Sequence, residues 1–189
     1  EEIKGSSKDS RACRITAYLN LVDLLVGRQV VALQASPFEA GSEITRYFEL
    51  CPEGATQDLY REMLDCADAA EQLRLQEELR TLVVPGRIEV NIMAKSDREH
   101  YHRGEKLPKE FSDANSALRG FANSTLRSSI VLSAGFNPRL YSYVSKFADF
   151  MPVDGKAPKK EVVLKVSDYR SARIQSKFLA KRGVWVSEY

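Results

Sequence analysis

Lysines at the ends of predicted strands are the residues of this sequence best placed to do chemistry. Lys95-Ser96-Asp97 and Lys165-Val166-Ser167-Asp168 each follow a β-type run. A strand end with only a structural role more often hands over to Gly, Asn or Asp. Lys165 interrupts the apolar run Val162–Val166, which predicts a buried stem with the amine at the strand mouth. Burial lowers a lysine pKa and favours the neutral amine that Schiff-base chemistry needs. The same placement suits a cation that holds a phosphate or an anionic cofactor ring. A lysine paired with a neighbouring carboxylate would be structural only, and all three readings stand. Asp168 is either the N-cap of the next helix or a general acid/base beside Lys165. Lys165 and Asp168 are therefore the candidate catalytic pair.

Ser133-Ala134-Gly135-Phe136-Asn137-Pro138 reads as a strand-to-helix turn. Backbone N–H groups at such a helix start can hold an anion, although plain capping uses the same residues. Gln34, Ser36 and Asn91 carry groups able to hydrogen-bond a planar ligand. Lys95, Gln34, Ser133, Gly135 and Asn137 are accordingly the candidate cofactor-binding residues. His100-Tyr101-His102 holds both histidines of the chain. Alternating histidines can chelate a metal, but these sit between Arg98 and Arg103 with no cysteine ligand nearby, so no metal site is expected. The stretch Lys95–Glu110 is long for a strand-to-helix connection and reads as an exposed loop or a lid.

The elements that must position these residues alternate. Apolar residues from Ile15 to Val26 recur at helical spacing, and Gln29–Ala35 reads as a strand ended by Ser36-Pro37. Ser42 and Thr56 open two further helices. Strands follow at 87–93, 129–133, 150–153, 161–166 and 184–189, with helices between them, capped at Asn137-Pro138 and Ser167-Asp168 and stopped at Gly183. Strand, helix, strand is the pattern of βαβ units. The fold class is α/β, and the six strands predict a partial (β/α)8 TIM-type barrel with parallel strands, with an open doubly wound sheet as the alternative. Neither GxGxxG nor GxxxxGK[ST] is present, which removes the usual ligands of that alternative. Residues 1–86 read as mainly helical with one strand, and 87–189 as regular βα units of one domain. The chain opens without Met and stops on a strand-like alternation, as expected of an internal piece of a longer protein.

Composition bounds the function classes. The 189 residues are 43 % hydrophobic and 29 % charged, ordinary values for a folded domain rather than a disordered chain. The net charge of +2 gives no global reason to expect nucleic acid as a partner. No apolar run approaches the roughly 20 residues of a membrane span, and the start is too polar for a signal peptide. Three cysteines without metal-ligand spacing read as reduced thiols, which places the protein in the cytoplasm. A small-molecule substrate is expected, with no nucleic-acid or membrane partner, and self-association is compatible with the sequence. Charge is uneven. Residues 37–79 hold eleven acids and three bases, and residues 156–182 hold nine bases and two acids. These are either solvated helix faces or a surface for a charged partner.

From about residue 87 onward, the segments Ile88–Asp97, Ser112–Pro138 and Val162–Tyr189 resemble an aldolase-type (β/α)8 protein. More narrowly, the chain is similar to bacterial proteins related to the FMN-binding central domain of glutamate synthase. That resemblance implies a barrel, FMN at the strand ends and redox chemistry on a small substrate. The Gly-rich phosphate turns and cysteine-ligated iron–sulfur cluster of that family have no counterpart in this sequence, so no catalytic residue is carried over. Lys165-Val166-Ser167 also resembles the Lys-x-Ser stretch on the Schiff-base strand of some class I aldolases, which implies a cofactor-free lyase. A non-catalytic binding module, with the acidic 37–79 helices as its interaction face, is the third expectation.

Overall fold

The computed structural model describes residues 3–94, 97–133 and 135–189. The chain divides into two units, Leu24–Gly86 on the one hand and Glu1–Asp23 with Arg87–Tyr189 on the other. Helix α1, Ser10–Ala35, contributes its first half to the second of these and its remainder to the first.

The Leu24–Gly86 unit is entirely helical. Gln29–Ala35, expected as a strand, is the last part of α1. Val26, Val30 and Leu33 recur at helical spacing, and Val30 and Leu33 pack on this unit's core. Packing of that stripe outweighs the β preference of the branched residues. Gly27 does not end the helix, because its φ is not in the left-handed region where a C′ glycine sits. Helices α2 (Glu43–Glu49), α3 (Ala55–Asp65) and α4 (Ala69–Leu82) follow. Ser42 and Asp68 cap α2 and α4 by accepting the N–H groups of Thr45 and Ala70. The long helix expected from Thr56 is therefore broken at 66–68. Ile44, Phe48, Tyr60, Met63, Leu75, Leu79 and Val83 form the core, with Phe48 stacked between Phe38 and Tyr60 at 5.9 and 5.6 Å.

The other unit is built on a parallel sheet. Its strands are β1 (Glu89–Ile92), β4 (Ser129–Leu132) and β5 (Glu161–Leu164), in the order β1-β4-β5. The register places Glu89 beside Ser129 beside Glu161, and Ile92 beside Leu132 beside Leu164. A separate hairpin, β2 (Tyr101–His102) with β3 (Glu105–Lys106), occupies the stretch expected to be a plain loop. Helices α5 (Asp113–Ala122), α6 (Pro138–Val144) and α7 (Tyr169–Ala180) complete the unit. The expected strand at 150–153 is replaced by a 3-10 turn at Ala148–Phe150 and a single bridge from Val153 to Lys156. The terminal segment adds one parallel bridge, Val163 to Glu188, with Ser187 N–H donating to Val162 and Leu164 N–H to Glu188. The sheet is open. The fold is α/β, and no closed barrel is formed by the described residues.

Strand alternation sorts the sheet into two unlike faces. Ile92, Ile130, Leu132, Val162 and Leu164 meet Leu118, Phe121, Leu140, Tyr141, Val144 and Leu179 of α5, α6 and α7 in one apolar core. The first half of α1 joins this core through Leu19. It approaches α5 at Gly120, where a Cβ would stand 2.7 Å from Ile15, and Thr16 Oγ1 donates to the Gly120 carbonyl at 2.9 Å. Against the expectation that no segment approaches a membrane span, α1 is by length and composition apolar enough to cross a bilayer, because its helix runs on through the stretch expected as a strand. In this unit, however, its Asn20 and Asp23 accept hydrogen bonds from Thr125.

Lys160 is 2 % exposed and fixes the start of β5. Its ammonium donates to the carbonyls of Phe121, Ala122 and Ser124 at 2.6, 2.9 and 2.7 Å. Phe121 and Ala122 are in the last turn of α5, whose carbonyls lack i+4 helical partners, and the helix dipole favours a cation there. Burial pushes the Lys160 pKa below its ordinary value, while Asp149 and Asp23 oppose the change.

Two outcomes follow from this packing. Lys160→Met removes the side-chain donor from the Phe121, Ala122 and Ser124 carbonyls and is expected to destabilise by about 3 kcal/mol in urea unfolding; a loss below about 1 kcal/mol would remove the anchoring role. The second concerns Tyr141, fully buried and pushed up to about 12 from its ordinary 10.0 by burial. Above pH 10 the unfolded phenol loses its proton while the folded one keeps it, so stability falls from pH 10 to about 12 by about 1.4 kcal/mol per unit. Denaturation midpoints measured across that window should flatten in Tyr141→Phe relative to the wild type.

Candidate functional site

In parallel α/β folds, ligands bind beyond the carboxyl ends of the strands. The ends of β1 and β4 and the start of α6 enclose a cleft of about 190 Å³ there, lined by Ile92, Leu132, Ser133, Gly135, Phe136 and Asn137. Three of the residues singled out from sequence, Ser133, Gly135 and Asn137, thus come together. Gly135 turns the chain at φ 82°, a conformation open to glycine at no steric cost. Asn137 spends its side-chain oxygen as the cap of α6, accepting the N–H groups of Arg139 and Leu140, both at 3.1 Å. Ser133 Oγ lies 2.5 Å from Asn91 Oδ1 and 3.2 Å from the Ile92 carbonyl, a link between the ends of β1 and β4.

The remaining candidates are placed differently. Gln34 is not at a strand end but in α1 of the Leu24–Gly86 unit. Its amide donates to the Arg80 carbonyl at 3.1 Å, and Arg80 in turn donates to the carbonyls of Gln34 and Ser36. It is part of a helix-end clamp and contributes nothing to the strand-end cleft. Lys95 lies outside the described residues. Lys165 is at the end of β5, where its N–H donates to the Leu132 carbonyl at 3.2 Å, but its side chain is exposed rather than buried. Alternation explains the difference: Val162 and Leu164 point to the helices, so Lys165 falls on the opposite, uncovered face. Its amine has no ion pair or hydrogen bond among the described residues.

Asp168 caps α7. It accepts the Ser171 N–H at 2.8 Å and the hydroxyls of Ser167 and Ser171 at 2.6 and 3.0 Å. The Ser167 hydroxyl, then the Ser171 backbone and hydroxyl, hold its carboxyl below the usual carboxylate range. A carboxylate so held stays ionised near neutral pH, with its oxygens engaged in capping α7.

Sequence reasoning missed the polar layer on the uncovered face of the sheet. The Arg87 guanidinium lies 2.6 Å from Glu188, 3.3 Å from Glu89 and 3.9 Å from Glu161, and donates to Ser129 Oγ at 3.2 Å. One cation thereby reaches all three strands of the parallel sheet and the terminal bridge. The period-two spacing of Arg87 and Glu89 put both on one face and was the available signal. Also missed was Asp113 at the start of α5, whose carboxylate meets Arg11 at 2.7 Å and His100 at 2.8 Å.

The strand-end cleft was tested against the flavin that the resemblance implies. Pockets for ligands of that size run to about 300–1,000 Å³, and this one is about 190 Å³. No cation lines it among the described residues, its asparagine oxygen is engaged in the α6 cap, and its serine hydroxyl donates to Asn91 Oδ1. As described, its volume does not fit a whole flavin mononucleotide.

Asn137→Ala should lower stability by about 1 kcal/mol through loss of the cap, read as a shift in thermal midpoint. An unchanged midpoint would mean that the cap contributes nothing and that the side chain is free for a ligand. No protein family matches this chain, and no curated protein or solved structure matches it significantly.

Proposed function

We propose that the sheet unit is part of a barrel-type enzyme scaffold that holds a small anionic molecule beyond the carboxyl ends of β1, β4 and β5. The observation that carries this reading is the strand order. β1, β4, β5 and the terminal bridge succeed one another in the order of the chain without reversal, and α5 packs on α6 and α6 on α7. Right-handed crossovers advancing in one direction lay their helices on one face, as an arc of a (β/α)8 barrel does, whereas a doubly wound sheet reverses direction. The face opposite the helices carries Asn91, Ser133 and Lys165 toward the strand ends beside Val131 and Val163, a mixed surface of the kind a ligand-facing barrel mouth presents. Ser133 with Asn91 supplies hydrogen-bonding groups there, and Lys165 supplies the unpaired cation.

The resemblance favours FMN-dependent redox chemistry on a small substrate as the specific form of this reading, with the flavin extending along Asn91, Ser133 and Lys165 rather than held wholly in the strand-end cleft, which is too small for it. The Schiff-base alternative rested on a buried Lys165 stem, and Lys165 is exposed. The test is incubation of the whole chain with FMN, gel filtration and a visible spectrum. Co-eluting flavin, weakened about tenfold by Lys165→Ala, supports the flavin form. A colourless protein that instead retains a carbonyl compound on Lys165 after borohydride supports the lyase. The absence of both results, across a panel of aldehydes and keto acids, would overturn binding of a small molecule at this edge.

A further inference from the structure

A second concavity lies away from the strand ends, between the segment 5–14 and the β2–β3 hairpin. Its volume is about 630 Å³, within the range of ligand pockets, and its lining includes Lys8, Arg11, Arg14, His100, His102 and Arg103. It shares no lining residue with the strand-end cleft.

The charge balance of this cleft is lopsided once its pairs are struck out. Its one acid, Asp9, is held by the forked Arg119 guanidinium, which also reaches the Glu110 carbonyl and lies 4.8 Å from the Phe111 ring centroid. Arg11 is spent on Asp113, which His100 also meets. Lys8, Arg14 and Arg103 then remain without a carboxylate partner among the described residues. Lys8 is steered by the Phe111 ring, 5.2 Å from its centroid. A guanidinium nitrogen of Arg14 lies 3.8 Å from where a Cβ on Gly5 would stand, so it leans over that loop.

Arg103 adds an observation of a different kind. It occupies the first of the two turn positions of the hairpin, at φ 52° ahead of Gly104 at φ 83°. Glycine, asparagine and aspartate are the unstrained residues at such a position. An arginine there keeps a guanidinium on the cleft at the expense of the turn.

We infer that this cleft is a binding site for a phosphate-bearing small molecule. Three cations without a carboxylate partner among the described residues repel one another around the cavity until an anion enters, and a single carboxylate balances only one of them. A phosphate ester or diphosphate carries two or more charges and presents the oxygens that a forked guanidinium pairs with.

The experiment is titration calorimetry of the whole chain with inorganic pyrophosphate, and with succinate at matched ionic strength. Arg103→Gly suits the turn and Arg14→Gln sits on an exposed helix face, so both variants should fold, which circular dichroism checks. Saturable pyrophosphate binding at roughly 100 µM or tighter is expected. Each variant should weaken it about fivefold or more, the pair together more than either, and Lys181→Gln should not change it. No saturable heat, retention of full affinity by the double variant, or succinate binding as well as pyrophosphate would each overturn the assignment.

Discussion

A buried ammonium is tolerable only where its hydrogens all find acceptors, and the sheet unit is organised around one such case. The three donors of Lys160 meet three carbonyls at the end of α5, and its own N–H donates to the Asp149 carbonyl. The residue therefore locks the entry to β5 against the exit of the helix that links β1 to β4. Register in a parallel pair has no tight turn to set it. Here a charge that can satisfy itself in one place only sets it instead. With β5 fixed, Val162 and Leu164 are committed to the helical core, and Glu161, Val163 and Lys165 to the other side.

That sorting governs what the uncovered face can do. Its lower part is occupied by the Arg87 layer, where one guanidinium neutralises carboxylates from three neighbouring segments. Its upper part carries Asn91, Ser133 and Lys165, short polar groups and a cation with fewer commitments. Structure at one end and availability at the other is the division of labour seen where strand amino ends stabilise a fold and carboxyl ends serve ligands. The helix caps work within the same division. Asn137 and Asp168 stand beside the strand ends, but their oxygens are consumed by the N–H groups of α6 and α7.

Local chemistry was legible in the sequence wherever it was decided locally. Ser42, Asn137-Pro138 and Asp168 start helices and Gly183 follows the end of α7 as their side chains and backbone freedom require. The runs at 89–92, 129–132 and 161–164 are strands. The failures all involve partners distant in the chain. Gln29–Ala35 carries strand-forming residues, yet its stripe finds a core to pack on as a helix. Lys165 drew attention because it breaks an apolar run, whereas alternation sends it outward. Lys160, one of a Lys-Lys-Glu run, looks like a solvated residue until the end of α5 is brought beside it. The strand-end candidates are legible in part for the same reason: Ser133, Gly135 and Asn137 share one turn, while Gln34 was placed by an element that does not exist.

The close approach of α1 to α5 at Gly120 has a consequence for the order of events during synthesis. Ile15 and Thr16 are made early, and the glycine they rest on follows about a hundred residues later, on the order of ten seconds at usual elongation rates. In that interval the Leu24–Gly86 segment, complete in itself and inserted between the two parts of the sheet unit, can gather its own core. The first half of α1 must wait. Leu19, Ile15 and their neighbours stay uncovered until the ribosome delivers the other side of their contact, so the nascent chain has a period of exposure that the finished protein does not reveal.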